Sequence, residues 1–164
     1  MARRRVVSGR TAAGAWGVLH DGPSSATEIH RVQGAPFEVA HFWNVDALSL
    51  DTTDHAEEAS LTEIFSLPPG SNRFLIESMG PTEAPTGWHR TNTIDYEYII
   101  SGRIDLLMED GSTVTLEPGD VNIQLGGMHQ WWNRYAEPCV IAITMVGVPS
   151  EEIPGVVTAP DNPG

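Results

Sequence analysis

The chain has 164 residues, 40% of them hydrophobic, and a net charge of −13; its nine basic residues are all arginine. With no lysine there is no Schiff-base chemistry, and so acidic a chain with no basic stripe is not expected to bind nucleic acid. It holds no run of about 18 apolar residues that would span a bilayer as a helix. Residues 1–7 carry charge without an apolar segment behind it, so a cytoplasmic chain that meets no membrane is expected.

The length suits one domain over residues 1–164. Residues 3–8 and 15–20 read as short strands, with Gly9, Gly14 and the Asp21-Gly22-Pro23 run as turns; these N-terminal strands extend to about residue 32. From Phe37 to Trp43 the chain alternates, so Phe37, Val39, His41 and Trp43 are expected on one face of a strand. Residues 46–60 are acidic and polar and read as a surface loop. Strands are expected at Leu61–Leu67 and Arg73–Met79 on either side of Pro68-Pro69-Gly70, followed by a loop rich in Pro, Thr and Gly. Arg103–Met108 and Thr113–Leu116 flank Asp110-Gly111, a strong hairpin signal. Residues 137–147 read as a last strand, and Val148–Gly164 as an extended arm. Cys139 lies in an apolar run and reads as a buried thiol, not a nucleophile. Many short strands with turns between them point to an antiparallel sandwich or barrel with its core at about 37–147.

Two segments carry the chemistry. The first has His89, Thr91, Asp95 and, after six further residues, Gly102; the second has Gly119, Gly126, His129 and Asn133. Both resemble the paired motifs of the cupin family. His89 fits the first His of the first motif, Asp95 its Glu and Gly102 its closing Gly, while Thr91 stands where a second His would be. Gly119, Gly126, His129 and Asn133 fit the second motif, with Gln124 in place of Pro. Within that family the chain is most similar to small bacterial and fungal proteins linked to secondary metabolism. The resemblance implies an all-β double-stranded β-helix, a jelly-roll barrel, and a homodimer whose edges are covered. It also implies a divalent ion (Fe, Zn or Mn) on His89, Asp95 and His129, two imidazoles and a carboxylate.

Along residues 95–101 the pleat puts Asp95 and Glu97 on the same face. Two carboxylates inside a mostly apolar barrel repel each other unless a cation neutralises them or one keeps its proton as a general acid. The alternative is a barrel without a metal, with Asp95 bonded to backbone and His89 on the surface. Glu97 and His41 are the candidate proton carriers, although His41 on an apolar face also reads as a packed core histidine. Trp131 and Trp43 are candidate walls of a substrate cavity, Arg90 a partner for a substrate carboxylate, and Thr91 a polar contact in the place of the missing imidazole. The expected function is metal-dependent, lyase-type chemistry (dehydration, decarboxylation or isomerisation) on a small polar or carbonyl-containing metabolite. The alternatives are an Fe(II) dioxygenase and a small-molecule binding protein without catalysis. No Gly-x-Ser-x-Gly elbow, phosphate loop or dinucleotide fingerprint occurs.

Overall fold

A computed structural model describes residues 4–23, 26–32, 35–45, 65–150 and 155–156. The strands are β1 (Arg4–Arg10), β2 (Trp16–Pro23), β3 (Ala26–Val32), β4 (Ala35–Val45), β5 (Asn72–Met79), β6 (His89–Arg90) and β7 (Thr93–Ser101). After them come β8 (Ile104–Met108), β9 (Thr113–Leu116), β10 (Val121–Gln124), β11 (His129–Trp132), β12 (Cys139–Gly147) and β13 (Gly155–Val156). Every pairing is antiparallel. Hence the expected all-β class holds, and among the described residues no helix is long and apolar enough to cross a membrane.

Two sheets form the barrel. One has the order β10-β7-β12-β5-β4-β3, the other β13-β6-β11-β8-β9, and β1-β2 is a separate hairpin. The core lies between the two large sheets. Val39, Leu75, Ile99, Ile141 and Ile143 come from the six-stranded sheet, and Ile104, Leu106, Leu116 and Trp131 from the five-stranded one. In β12 the burial alternates strictly, with Cys139, Ile141, Ile143 and Met145 inside. This matches the apolar run that marked the strand, whose start at Cys139 follows from Pro138 having no N–H to give to a ladder. The expected thiol burial also holds, since Cys139 is fully buried and burial pushes its pKa up to about 12.

Two expectations need correction. Phe65–Leu67 is a bend rather than strand, because the backbone N–H of Leu67 donates to Asn92 Oδ1 and the Asn92 amide donates back to Leu67 O. The rest of that proposed strand, like the acidic segment 46–60, lies outside the described residues. In β4 a bulge falls between His41 and Trp43. His41 pairs with the buried Leu75, whereas Trp43 pairs with Phe74, which is exposed. The extra residue, Phe42, thus turns Trp43 onto the outer face, away from His41. Trp43 does not line the barrel interior as expected.

Candidate functional site

The two motif histidines meet. His129 pairs with His89 across β11 and β6, and their ring centroids lie 4.2 Å apart with the planes inclined at 57°. Each ring is held by the backbone two residues before it: His89 Nδ1 lies 2.9 Å from Gly87 O, and His129 Nδ1 2.7 Å from Gly127 O. A carbonyl oxygen only accepts, so each Nδ1 carries the proton and donates it. Each Nε2 is then left with a lone pair. Backbone anchoring of this kind fixes the tautomer that a metal-ligating imidazole needs. With its Nδ1 protonated, His129 takes no hydrogen bond from the Gln124 amide 3.3 Å away, and that amide donates to Gly127 O at 3.2 Å instead.

The glycine turn sets this arrangement. Gly126 has φ +74°, and a Cβ there would stand 2.8 Å from Thr91 O. Only glycine lets the turn lie against the strand that carries the first motif. Aromatic rings complete the setting: Phe65 meets His89 edge-on at 5.7 Å, and Trp131 meets His129 at 5.9 Å and 84°. Burial therefore lowers the pKa of both histidines. His129 falls to about 4, with His89 beside it adding to the effect, so both rings are neutral near pH 7.

The acids lie along the inner face of the six-stranded sheet. Asp95 and Glu97 are both buried on β7, as the pleat predicted, and β5 adds a third, Glu77, equally buried. Burial pushes Glu77 to about 8, Glu97 to about 8 and Asp95 to about 6. Asp95 raises both glutamates further by its charge. The Asn122 amide donates to Glu97 Oε2 at 2.7 Å, which opposes the rise but does not cancel it. Asp95 Oδ1 is buried and accepts no hydrogen bond among the described residues.

The structure therefore brings together two of the three expected metal ligands. Among the described residues no three His, Cys, Asp or Glu side chains are grouped to enclose an ion, so Asp95 does not complete the set with His89 and His129. Asp95 stands where the motif has Glu, one methylene longer. The histidine pair nevertheless has the right chemistry for a borderline divalent ion, because both rings are neutral and both present Nε2. The orphaned Asp95 Oδ1 is a further acceptor waiting for a cation or a donor.

The remaining candidates separate. Trp131 lies beside the pair as expected. Thr91 is buried, and its hydroxyl accepts from Thr93 Oγ1 at 2.7 Å. Arg90 follows His89 on β6 and so points to the opposite face; its backbone pairs with Gly155 of β13. His41 is buried in the row His41–Leu75–Ile143–Glu97, three strands from Glu97 and roughly 14 Å from it along the sheet. Asn133 is structural: its amide donates to Met79 O and Glu137 O, tying β5 to the turn after β11. Sequence reasoning missed Glu77 and Gln124. The signal for Gln124 was present, as a polar residue in a motif position where proline is usual.

In its antiparallel sheets, paired motifs and facing histidines the chain resembles the small cupins. No protein-family profile matches the chain. It is 32% identical over 89 residues to phomopsin biosynthesis cluster protein C' of Diaporthe leptostromiformis, covering 52% of this chain and 47% of that protein. It is 41% identical over 60 residues to oryzines biosynthesis cluster protein J of Aspergillus oryzae, covering 34% of each. The cupin-domain-containing oxidoreductase srdD of Neurospora crassa matches at 33% identity over 69 residues, covering 42% of this chain and 34% of that one. The chain thus matches less than half the length of these relatives.

Proposed function

We propose that the chain is a metal-dependent cupin enzyme acting on a small polar or carbonyl-containing metabolite by lyase-type chemistry. The observation that carries this reading is the pair of neutral imidazoles, each pinned through Nδ1 with Nε2 left to bind. His89 and His129 would hold a divalent Fe, Zn or Mn ion, with Asp95 the candidate third ligand. When bound, such an ion polarises a carbonyl oxygen and stabilises the negative charge that develops there.

The chain's own residues supply the rest. Glu97, pushed to about 8, keeps its proton at neutral pH and is a carboxylic acid able to donate it. Asn122 fixes one oxygen of that carboxyl, leaving the proton on the other. Trp131 packs against the buried His129 and Phe65 against His89, which lowers the local dielectric and strengthens charge interactions there. His41 lies too far along the sheet to pass a proton directly to Glu97, and on this reading it serves a separate part of the cavity.

A second reading, Fe(II)-dependent oxidation, is favoured by the cupin-domain oxidoreductases among the relatives. Turnover of a panel of small β-hydroxy and β-keto acids, followed by NMR with and without oxygen, separates the two. Product formed under nitrogen and abolished in His129→Ala supports the lyase. Oxygen consumption matched to substrate loss supports the oxidation. Ligand binding without turnover by metal-loaded protein contradicts both and leaves a binding protein.

A further inference from the structure

Packing gives no reason for the acid at Glu77. The residue stands in the cross-strand row Val39–Glu77–Ile141–Ile99, whose three other members are apolar and fully buried. Glu77 is itself only 6% exposed, and its carboxyl makes no hydrogen bond with a described residue. Buried polar groups are nearly always satisfied, so an exception calls for a partner from outside the fold. Arg73 shares the inner face of β5, but its Nη1 donates to Val45 O and Asn72 O at the start of the strand. The other two acids face the same interior. The charge of Asp95 acts on Glu77, and both act on Glu97, although β12 lies between their strands. Asp95 Oδ1 is a second buried acceptor that receives no hydrogen bond among the described residues.

We propose that Glu77 binds the ammonium group of the substrate, so that the chain acts on an amine-bearing metabolite. The proposal rests on the barrel interior being the site of an enzyme, and it names the class of molecule that enters it. Three carboxyls in one desolvated space select their ligand by charge. An anion is repelled by them, and a neutral hydroxyl leaves their mutual repulsion as it was. A cation offsets both the repulsion and the loss of solvent. The net charge of −13 acts in the same sense at long range, drawing cations towards the molecule. Position assigns the role to Glu77 among the three acids. It lies on the sheet opposite the histidine pair, which leaves Asp95 for the metal and Glu97 for the proton. Glu77 paired with an ammonium has no net charge, so the pair leaves the Glu97 proton in place.

Isothermal titration calorimetry of the full chain tests this, with primary alkylammonium ions from ethyl to pentyl, each beside the alcohol of the same length. At least one ammonium ion should bind wild type about 10-fold or more tightly than its alcohol. Glu77→Gln, which keeps the shape of the protonated acid, should bring that ratio below about 2-fold. The control Glu117→Gln removes a carboxylate from the exposed surface and should leave the ratio unchanged. A wild type for which no ammonium ion binds more tightly than its alcohol would overturn the proposal. So would a preference that survives in Glu77→Gln or falls equally in Glu117→Gln. The ratio is read on metal-free and metal-loaded chain alike. A chain that binds no metal would sink the functional reading without changing the ratio, whereas equal binding would sink the substrate class without touching the metal. Wild-type crystals soaked with the tightest ion cover the case in which Glu77→Gln fails to fold. The nitrogen should lie within hydrogen-bond distance of the Glu77 carboxyl, and a nitrogen placed elsewhere would overturn the proposal.

Discussion

His89 and His129 face each other across an antiparallel pair, each bonded through Nδ1 to the carbonyl two residues earlier. The same local turn is made twice, once in each motif, and the two turns meet. The consequence is a pair of adjacent imidazoles, each with its tautomer fixed through Nδ1, built from residues forty positions apart in the chain.

The turn before His129 should be intolerant of a side chain. Gly126→Ala must hold a left-handed backbone at a cost of roughly 1–2 kcal/mol and press its Cβ on Thr91 O. The expected result is a lower melting temperature together with weaker metal retention, read by calorimetry and by metal analysis of the same sample. Gly111→Ala, at another positive φ but with open space around it, should cost stability alone.

Stability should peak in mildly acidic solution. Glu77 and Glu97 have folded pKa values of about 8, above their ordinary 4.5. Their protonated forms fit the barrel, so stability present below pH 4.5 is lost as pH rises through 8. His129 acts in the opposite sense: its folded value of about 4 lies below 6.5, so its contribution is present above pH 6.5 and lost as pH falls towards 4. In Glu77→Gln the alkaline fall should be shallower, with a gain of a few kcal/mol at pH 9 in denaturant titrations. An unchanged alkaline limb would show that Glu77 ionises without penalty.

Asp105 is the structural acid of the molecule. It is fully buried in β8, its Oδ1 accepts from Thr115 Oγ1 at 2.7 Å and Tyr135 OH at 2.8 Å, and Arg134 Nε lies 2.6 Å from Oδ2. Asp105→Ala should cost about 3 kcal/mol by leaving these donors unpaired. Tyr135→Phe, which removes one donor, should cost about 1 kcal/mol. Arg134→Ala takes the cation from beside a fully buried carboxylate and should cost about 1–3 kcal/mol. Urea titration at pH 7 checks all three.

If Glu97 is the proton donor, turnover should fall as pH rises through about 8, where the group loses its proton. Glu97→Gln should then reduce kcat about 100-fold or more and remove that limb of the pH profile, while leaving metal content unchanged. A limb that persists in the variant would assign it to another group.

The motifs and the hairpin turns were legible because each is a local signal. Asp110-Gly111 makes its turn with Gly111 at φ +85° and the Asp110 carboxylate accepting from Ser112 N. His89, Asp95 and His129 could be named because their spacing resembles the paired motifs of the cupin family. Glu77 could not, because Arg73–Met79 is apolar at both Phe74 and Ile76 and at Leu75, so alternation does not say which face is inside. The apolar outer face, with Phe74 and Ile76, is what obscured it. The bulge at Phe42 was hidden for a related reason: Phe37–Trp43 alternates cleanly in sequence, and only the pairing with β5 shows the skipped residue.

Metal content of the purified, untagged chain, measured by plasma mass spectrometry beside His89→Ala and His129→Ala, tests the central claim most directly. The account predicts close to one Fe, Zn or Mn ion per wild-type chain, lost in each variant while the melt stays cooperative. Wild type that holds no metal even after reconstitution, or variants that keep it, would contradict the assignment of the histidine pair as a metal site.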